Sequence, residues 1–217
     1  MIRDSSLTER TLKYCENIGI DIVGFCDPAL YDEYVKKGAR PESFLKETET
    51  IIIIGLYLND LTLDTWYQDK KSNKSFHFAD SIIEVKGRKL KDFLLSEGYK
   101  SKMISYNPGL FLKDSAALAG IGPIGKNNLL ISDKFGSQVR LRALVTDAPL
   151  SLGSPIFESK YCVDCDICAK SCPAEALNDG RYNKMRCLSY SQSHLSVLSD
   201  KSDIWCNICI ESCPIGR

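Results

Sequence analysis

Eight cysteines crowded into one stretch constrain this chain more than any other feature. The run "CVDCDICAKSCP" sets Cys162, Cys165, Cys168 and Cys172 at the spacing C-x2-C-x2-C-x3-C, with Pro173 directly after. Three thiolates that close together grip one iron–sulfur cube, while the fourth turns away to a neighbouring one. The second run, "WCNICIESCP", carries Cys206, Cys209 and Cys213 before Pro214, and Cys187 stands far upstream in place of its first ligand. Four plus four ligands predict two [4Fe-4S] clusters. Under the crossover rule one cube takes Cys162, Cys165, Cys168 and Cys213, and the other takes Cys172, Cys187, Cys206 and Cys209. Zinc is the alternative, because paired C-x2-C units also build zinc sites. The third cysteine at x2 and the proline after the fourth fit the cube better.

The same cysteines bear on compartment. A secreted disulfide scaffold follows a signal peptide, and "MIRDSSLTER" is too polar for one. The longest apolar run, "IIIIGLYL", is far short of a membrane span. A cytoplasmic protein with no membrane partner is expected. Its 28 Lys and Arg balance its 28 Asp and Glu, so nucleic acid is not expected as a partner either. Cys15 and Cys26, remote from the cluster, read as small apolar core residues.

Before the cysteines the chain alternates helix and strand. "SSLTERTLKYCENIG" predicts a helix capped by Ser5 or Ser6, with Leu7, Thr11, Leu12, Cys15 and Ile18 on one face and Gly19 at its end. "IDIVGFCD" reads as a short strand, "ALYDEYVKKG" as a helix ended by Gly38, and "TIIIIGLYL" as a central strand apolar on both faces. "TLDTWYQDKKSNKSFH" reads as a surface loop or lid containing His77, with "DKKSNK" a solvated charge run. "ADSIIEVKGRKLKDFLLSEGY" is a long helix with Ile82, Ile83, Leu90, Phe93 and Leu94 inward, and "KSKMISY" a strand. A Pro- and Ser-rich boundary at 147–159 divides an α/β domain, 1–150, from a small cysteine module, 151–217, that needs its metal to fold. The fold class expected is α+β. His194, between cluster ligands, reads as a surface residue, and Trp205 as a shield for the neighbouring cluster.

"AGIGPIGKNNLLI" matches a phosphate-binding loop from Gly120 to Lys126, but Asn127 stands where Ser or Thr should hold Mg²⁺. A helical segment, "FLKDSAALA", precedes it, and two strands, "NNLLIS" and "GSQVRLRALVTD", follow. A phosphate loop needs a strand before and a helix after, so a nucleotide site is disfavoured. Two readings of its glycines stand: close approach to a bulky ligand, or a tight chain reversal.

In order, "IGIDIVGFCD", "ETETIIIIGLYL", the glycine loop with "FGSQVRLRALVTDAPL", and the cysteine run with its displaced Cys187 resemble the epoxyqueuosine reductase family, and more distantly the reductive dehalogenases. The resemblance implies a nitroreductase-like, cobalamin-binding first domain whose cobalt is reduced through a bacterial-ferredoxin-like domain with two [4Fe-4S] clusters. It implies that Gly120, Gly122, Gly125, Lys126 and Asn127 border the corrinoid. A ferredoxin- or flavodoxin-type electron donor is implied, with a small molecule or a protein-bound corrinoid as acceptor. A ferredoxin-like carrier with no corrinoid of its own is the other functional reading.

Two departures from the family matter. Tyr106 and Asn107 stand where these reductases carry an acidic proton donor. Tyr106 is therefore the candidate donor, with a structural strand-end aromatic as the other reading, while Asp114 reads as a helix-opening residue. The helical-repeat region of the longer reductases does not follow "CPIGR", which again argues against a transfer-RNA substrate.

Overall fold

The computed structural model of the chain describes residues 2–69 and 74–216. Helix α1 (Ser5–Asn17) leads into strand β1 (Ile22–Cys26), helix α2 (Pro28–Tyr34) and strand β2 (Thr50–Tyr57). Strands β3 (Trp66–Asp69) and β4 (Lys74–His77) precede the long helix α3 (Phe78–Ser96), β5 (Ser101–Met103), α4 (Leu112–Leu118) and β6 (Val139–Thr146). The cysteine-rich part contributes α5 (Ile167–Ser171), α6 (Lys184–Ser193), β7 (Ser196–Ser199), β8 (Ser202–Ile204) and α7 (Ile208–Glu211).

The main sheet has the order β1-β2-β6-β5, and each neighbouring pair is antiparallel. Strand β2 lies inside it, and all of Ile51, Ile52, Ile53 and Ile54 are fully buried. The period of two sends them to opposite faces. Ile52 and Ile54 join Leu7 and Cys15 of α1 and Ile83, Leu90 and Leu94 of α3 in one core. Ile51 and Ile53 join Tyr31 of α2 and Ala116 and Leu118 of α4 in the other. Helices on both faces explain why "IIII" is uninterrupted rather than alternating. Each isoleucine contributes about 1.5–3 kcal/mol by leaving water. The mixed α/β architecture agrees with the expected class.

Several local expectations are corrected. Helix α1 is capped by Asp4, whose Oδ1 accepts from Leu7 N at 2.8 Å, rather than by Ser5 or Ser6, and Leu12 is exposed. Helix α2 stops at Tyr34, well before Gly38. "NNLLIS" makes only isolated bridges, Ile124 to Leu130 and Ser132 to Gly136, in place of a strand. The segment expected as a loop forms β3 and β4, which pair antiparallel. The middle of its charge run, residues 70–73, lies outside the described residues. Aromatic Trp66, Tyr67 and Phe76 supply the strand propensity that the surrounding polar residues masked.

Strand β3 also pairs with β8, Trp66 opposite Asp203 and Tyr67 opposite Ser202, in a second sheet of order β4-β3-β8-β7. The cysteine-rich part is therefore tied by main-chain hydrogen bonds to the segment before α3. Residues 147–159 run across the first part of the chain: Ser151 N donates to Thr8 Oγ1 at 2.8 Å, Gly153 N to Phe25 O at 2.8 Å and Ile156 N to Ala117 O at 2.9 Å. Among the described residues, no helix is long and apolar enough to cross a membrane.

Candidate functional site

The cysteines of the two runs gather in two groups. Cys162, Cys165, Cys168 and Cys213 line one cavity with Lys126, Asn127, Ile131 and Tyr161. Cys172, Cys187, Cys206 and Cys209 line a second cavity of about 520 Å³ with Tyr182, Leu177, Ile210 and, again, Asn127. The local chain explains the crossing. Cys168 lies within the short helix α5, and Cys172 is at its C-terminal end, facing the other way. In α7, Cys209 lies within the helix and Cys213 follows its C-cap, Ser212. These groups match the crossed sets expected from spacing.

Electrostatics at these sulfurs favour a cationic guest. Burial and the nearby Cys162, Cys165 and Cys213 push the Cys168 thiol up. Burial, then Cys187 and Cys206, push Cys209 up to about 12. Ionised together, sulfurs so placed would repel one another with little water to screen them, a cost that a bound cation would relieve. Among the described residues, no three His, Cys, Asp or Glu side chains converge closely enough to hold a single metal ion. A cube holds four thiolates around its corners, farther apart than the tetrahedron around one zinc.

Polar atoms without partners also collect here. Of the six buried side-chain atoms that lack a hydrogen bond among the described residues, Asn127 Nδ2 lines both cavities. Trp205 Nε1 and Ser212 Oγ neighbour Cys206 and Cys213 in sequence, and Ser159 Oγ precedes Cys162 by three residues. Buried donors left unsatisfied cost stability unless something accepts from them. Sulfur-rich clusters are acceptors, so the residues fit the group. One sulfur already has a donor: Ala176 N lies 3.4 Å from Cys172 Sγ.

The glycine loop joins the two parts of the chain. Gly120 closes α4 at φ 74, and a Cβ there would lie 2.5 Å from Ser154 O. A Cβ on Gly122 would strike the Ile131 carbonyl, and one on Gly125 would lie 2.7 Å from Ile131 Cγ1. Gly125 N donates to Leu129 O and Ile131 N to Pro123 O, both at 2.8 Å. What approaches Gly120 and Gly122 is the chain's own backbone, and what approaches Gly125 is the Ile131 side chain. Lys126 Nζ reaches Asp166 Oδ1 at 2.9 Å, beside the first cysteine group.

Tyr106 lies elsewhere, in a network that sequence reading missed. Its hydroxyl donates to Asp80 Oδ1 at 2.6 Å and to Leu141 O at 3.2 Å. Arg140 grips Asp80 with Nε at 2.8 Å and Nη2 at 3.0 Å, and reaches Asp64 Oδ1 with Nη1 at 3.2 Å. Burial opposes the Asp80 charge, but the Arg140 hydrogen bonds win and hold the carboxyl below its ordinary range. Burial pushes the Tyr106 hydroxyl up to about 12, although the residue as a whole is 47% exposed. The hydroxyl end is inside and the ring edge outside. His77, expected on the surface, is instead half-buried, its Nδ1 3.0 Å from Asp64 O and its ring 4.8 Å from Trp66. Arg140 and Arg142, alternating with apolar residues in a covered strand, were the available signal. Asp114 sits in the first turn of α4, as expected. Trp205 packs edge-on to Trp66 at 6.1 Å, and His194 stacks on Tyr190 at 4.0 Å.

The same fold recurs in solved structures of other proteins. A solved catabolic reductive dehalogenase, at 17% identity and TM-score 0.69, matches 96% of this chain and 32% of its own. In sequence, the chain resembles the epoxyqueuosine reductases over most of its length. It is 31% identical to that of Lactococcus garvieae over 82% of this chain and 55% of the relative, and 27% identical to that of Listeria monocytogenes over 98% and 65%. It thus spans a little over half to two-thirds of the length of these curated relatives. No protein-family model matches it. One solved epoxyqueuosine reductase, at 25% identity and TM-score 0.73 over 97% of this chain and 65% of its own, was crystallised with an epoxyqueuosine-modified tRNA-Tyr stem loop. That neighbour's bound stem loop runs against the expectation, drawn from neutral charge, that nucleic acid is not a partner. Net charge sums over the whole surface and is blind to a local site.

Proposed function

We propose that this chain is a two-cluster iron–sulfur reductase of the epoxyqueuosine reductase type, acting on epoxyqueuosine in a transfer-RNA stem loop. The observation that carries the reading is the pair of cavities, each lined by four cysteines drawn crosswise from the two runs. Residues 1–150 would hold the electron acceptor and 151–217 the two clusters. Cys162, Cys165, Cys168 and Cys213 would ligate one [4Fe-4S] cluster, and Cys172, Cys187, Cys206 and Cys209 the other. Removing an epoxide oxygen as water consumes two electrons and two protons and leaves an alkene. Two one-electron clusters match that demand. A ferredoxin- or flavodoxin-type donor would refill them.

Cobalamin is part of this proposal, as the group that would supply two-electron cobalt chemistry when bound. The chain's own residues would then exclude water and position a proton. Tyr106 keeps its proton at neutral pH and is the proposed source. Arg142 lies 4.4 Å and Arg140 5.6 Å from the centre of its ring, where both would offset part of the cost that burial and the Asp80 carboxylate place on the phenolate left behind. One observation favours the second reading, a carrier without a corrinoid: the space beside the loop glycines is filled by the chain itself, through the main chain of Ser154 and Ile131 and the side chain of Ile131.

Anaerobic reconstitution decides the first point. About eight irons and eight sulfides per chain are expected, and about four irons, or zinc, would overturn the two-cluster assignment. Added cobalamin should then co-elute with the protein and shift its cobalt absorption band, and the carrier reading predicts neither. With a reductant, a modified stem loop should lose one oxygen by mass spectrometry.

A further inference from the structure

Among the described residues outside the cysteine runs, Asn127 alone lines the cavities of both cysteine groups. It is 5% exposed, it lines both cavities, and its Nδ2 has no partner. The other end of its amide is occupied, since Oδ1 accepts from Leu129 N at 3.2 Å within the loop. That bond orients the side chain and leaves the NH2 group buried without a partner among the described residues. An amide donor buried in that way, with nothing to receive it, costs about 1–3 kcal/mol. The main-chain contacts that shape this loop, Gly125 N to Leu129 O and Asn128 N to Gly125 O, hold Asn127 at its tip. Lys126, its neighbour, is pinned to Asp166 in the first cysteine group's own segment. Asn128 follows at φ 59, a left-handed conformation that Asn adopts more readily than most residues and that completes the turn.

We infer that Asn127 Nδ2 donates a hydrogen bond to a sulfur of one of the two clusters and thereby sets the potential step between them. The inference rests on the two-cluster reading above. A donor to a cluster sulfur stabilises the reduced, more negative state and raises that cluster's potential. The amide belongs to the first part of the chain, whereas all eight sulfurs belong to the second. It therefore acts as a positioning residue, through which a shift of the glycine loop would be felt by the clusters as a change in driving force. The glycines beside it are then explained by the chain: they let the loop close tightly enough to carry an amide into the cysteine-rich part.

The test uses the full chain, reconstituted anaerobically, and reads spectra rather than turnover. In the wild type, pulsed electron paramagnetic resonance of the reduced protein labelled with 15N-asparagine side chains should show a nitrogen coupled to a cluster, and an exchangeable deuteron after transfer to D2O. In Asn127→Asp, which keeps the acceptor for Leu129 N and loses the donor, that coupling should vanish. The potential of one cluster should fall by about tenfold in its reduction equilibrium, which is about 59 mV for one electron, while the other moves much less. Asn127→Leu, which adds no charge, should lower the same cluster and separate loss of the donor from gain of a carboxylate. With about eight irons bound, absence of a coupled asparagine nitrogen and unchanged potentials would overturn this inference and leave the cluster assignment standing. Without iron, the assignment itself fails. If the variants do not load iron, the wild-type coupling alone decides.

Discussion

Asp80 shows how one residue ties distant segments together. It stands in the first turn of α3, where a carboxylate suits the helix N-terminus. From there it accepts from Arg140 of β6 and from Tyr106 in the stretch after β5. The side chain of Asp80 is 12% exposed and that of Arg140 22%. Replacing Asp80 with Ala leaves a buried guanidinium with only Asp64 beside it. We expect Asp80→Ala to lower stability by about 3–5 kcal/mol, measured by urea denaturation, with Asp80→Asn losing less because its shape and one acceptor remain. A loss below about 1 kcal/mol, the scale of a surface pair, would show that water screens the network. None of these partnerships was legible beforehand. The residues are far apart in sequence and carry no motif, and an Arg within a strand reads equally well as surface. Cysteines differ because a metal forces their spacing into short local runs, which sequence shows directly.

At the level of elements, legibility followed burial. Strand β2 and helix α3 were plain because each carries a long apolar pattern, continuous in the first and helical in the second. Ile53, fully buried between β1 and β6, touches the core formed with α2 and α4. Ile53→Ala should cost about 2–5 kcal/mol in the same denaturation measurement, and a loss under 1 kcal/mol would mean that the core closes over the gap. Strands β3 and β4 pair with each other, but they were hidden because their residues are mostly polar and the sheet that holds them is completed by a distant partner of β3. Tyr67 and Trp66 find theirs in β8, more than a hundred residues on, and no local pattern records that. The fate of the loop glycines was also decided at a distance, by the backbone of Ile131 and Ser154.

Across the whole molecule, the two parts are held by different means. The first part buries two apolar cores on either side of one sheet. Among its described residues the second buries only Cys168, Ala176, Leu177 and Ser191, so under the proposed assignment much of its order would come from metal. Stripping the iron anaerobically with a chelator and adding protease should cut the chain after about residue 160 first, while the fragment before it survives. Uniform cleavage along the chain would mean that the second part stands without its clusters. The crossed sets carry a consequence for biosynthesis. Neither cube has a full complement of thiols until the second run has left the ribosome, since one awaits Cys209 and the other Cys213. A nascent chain that has exposed only Cys162, Cys165, Cys168 and Cys172 holds four sulfurs that belong to two different destinations. Under the proposed assignment, cluster insertion therefore waits until Cys213 is translated, and a scaffold delivering iron earlier would seal the wrong four together.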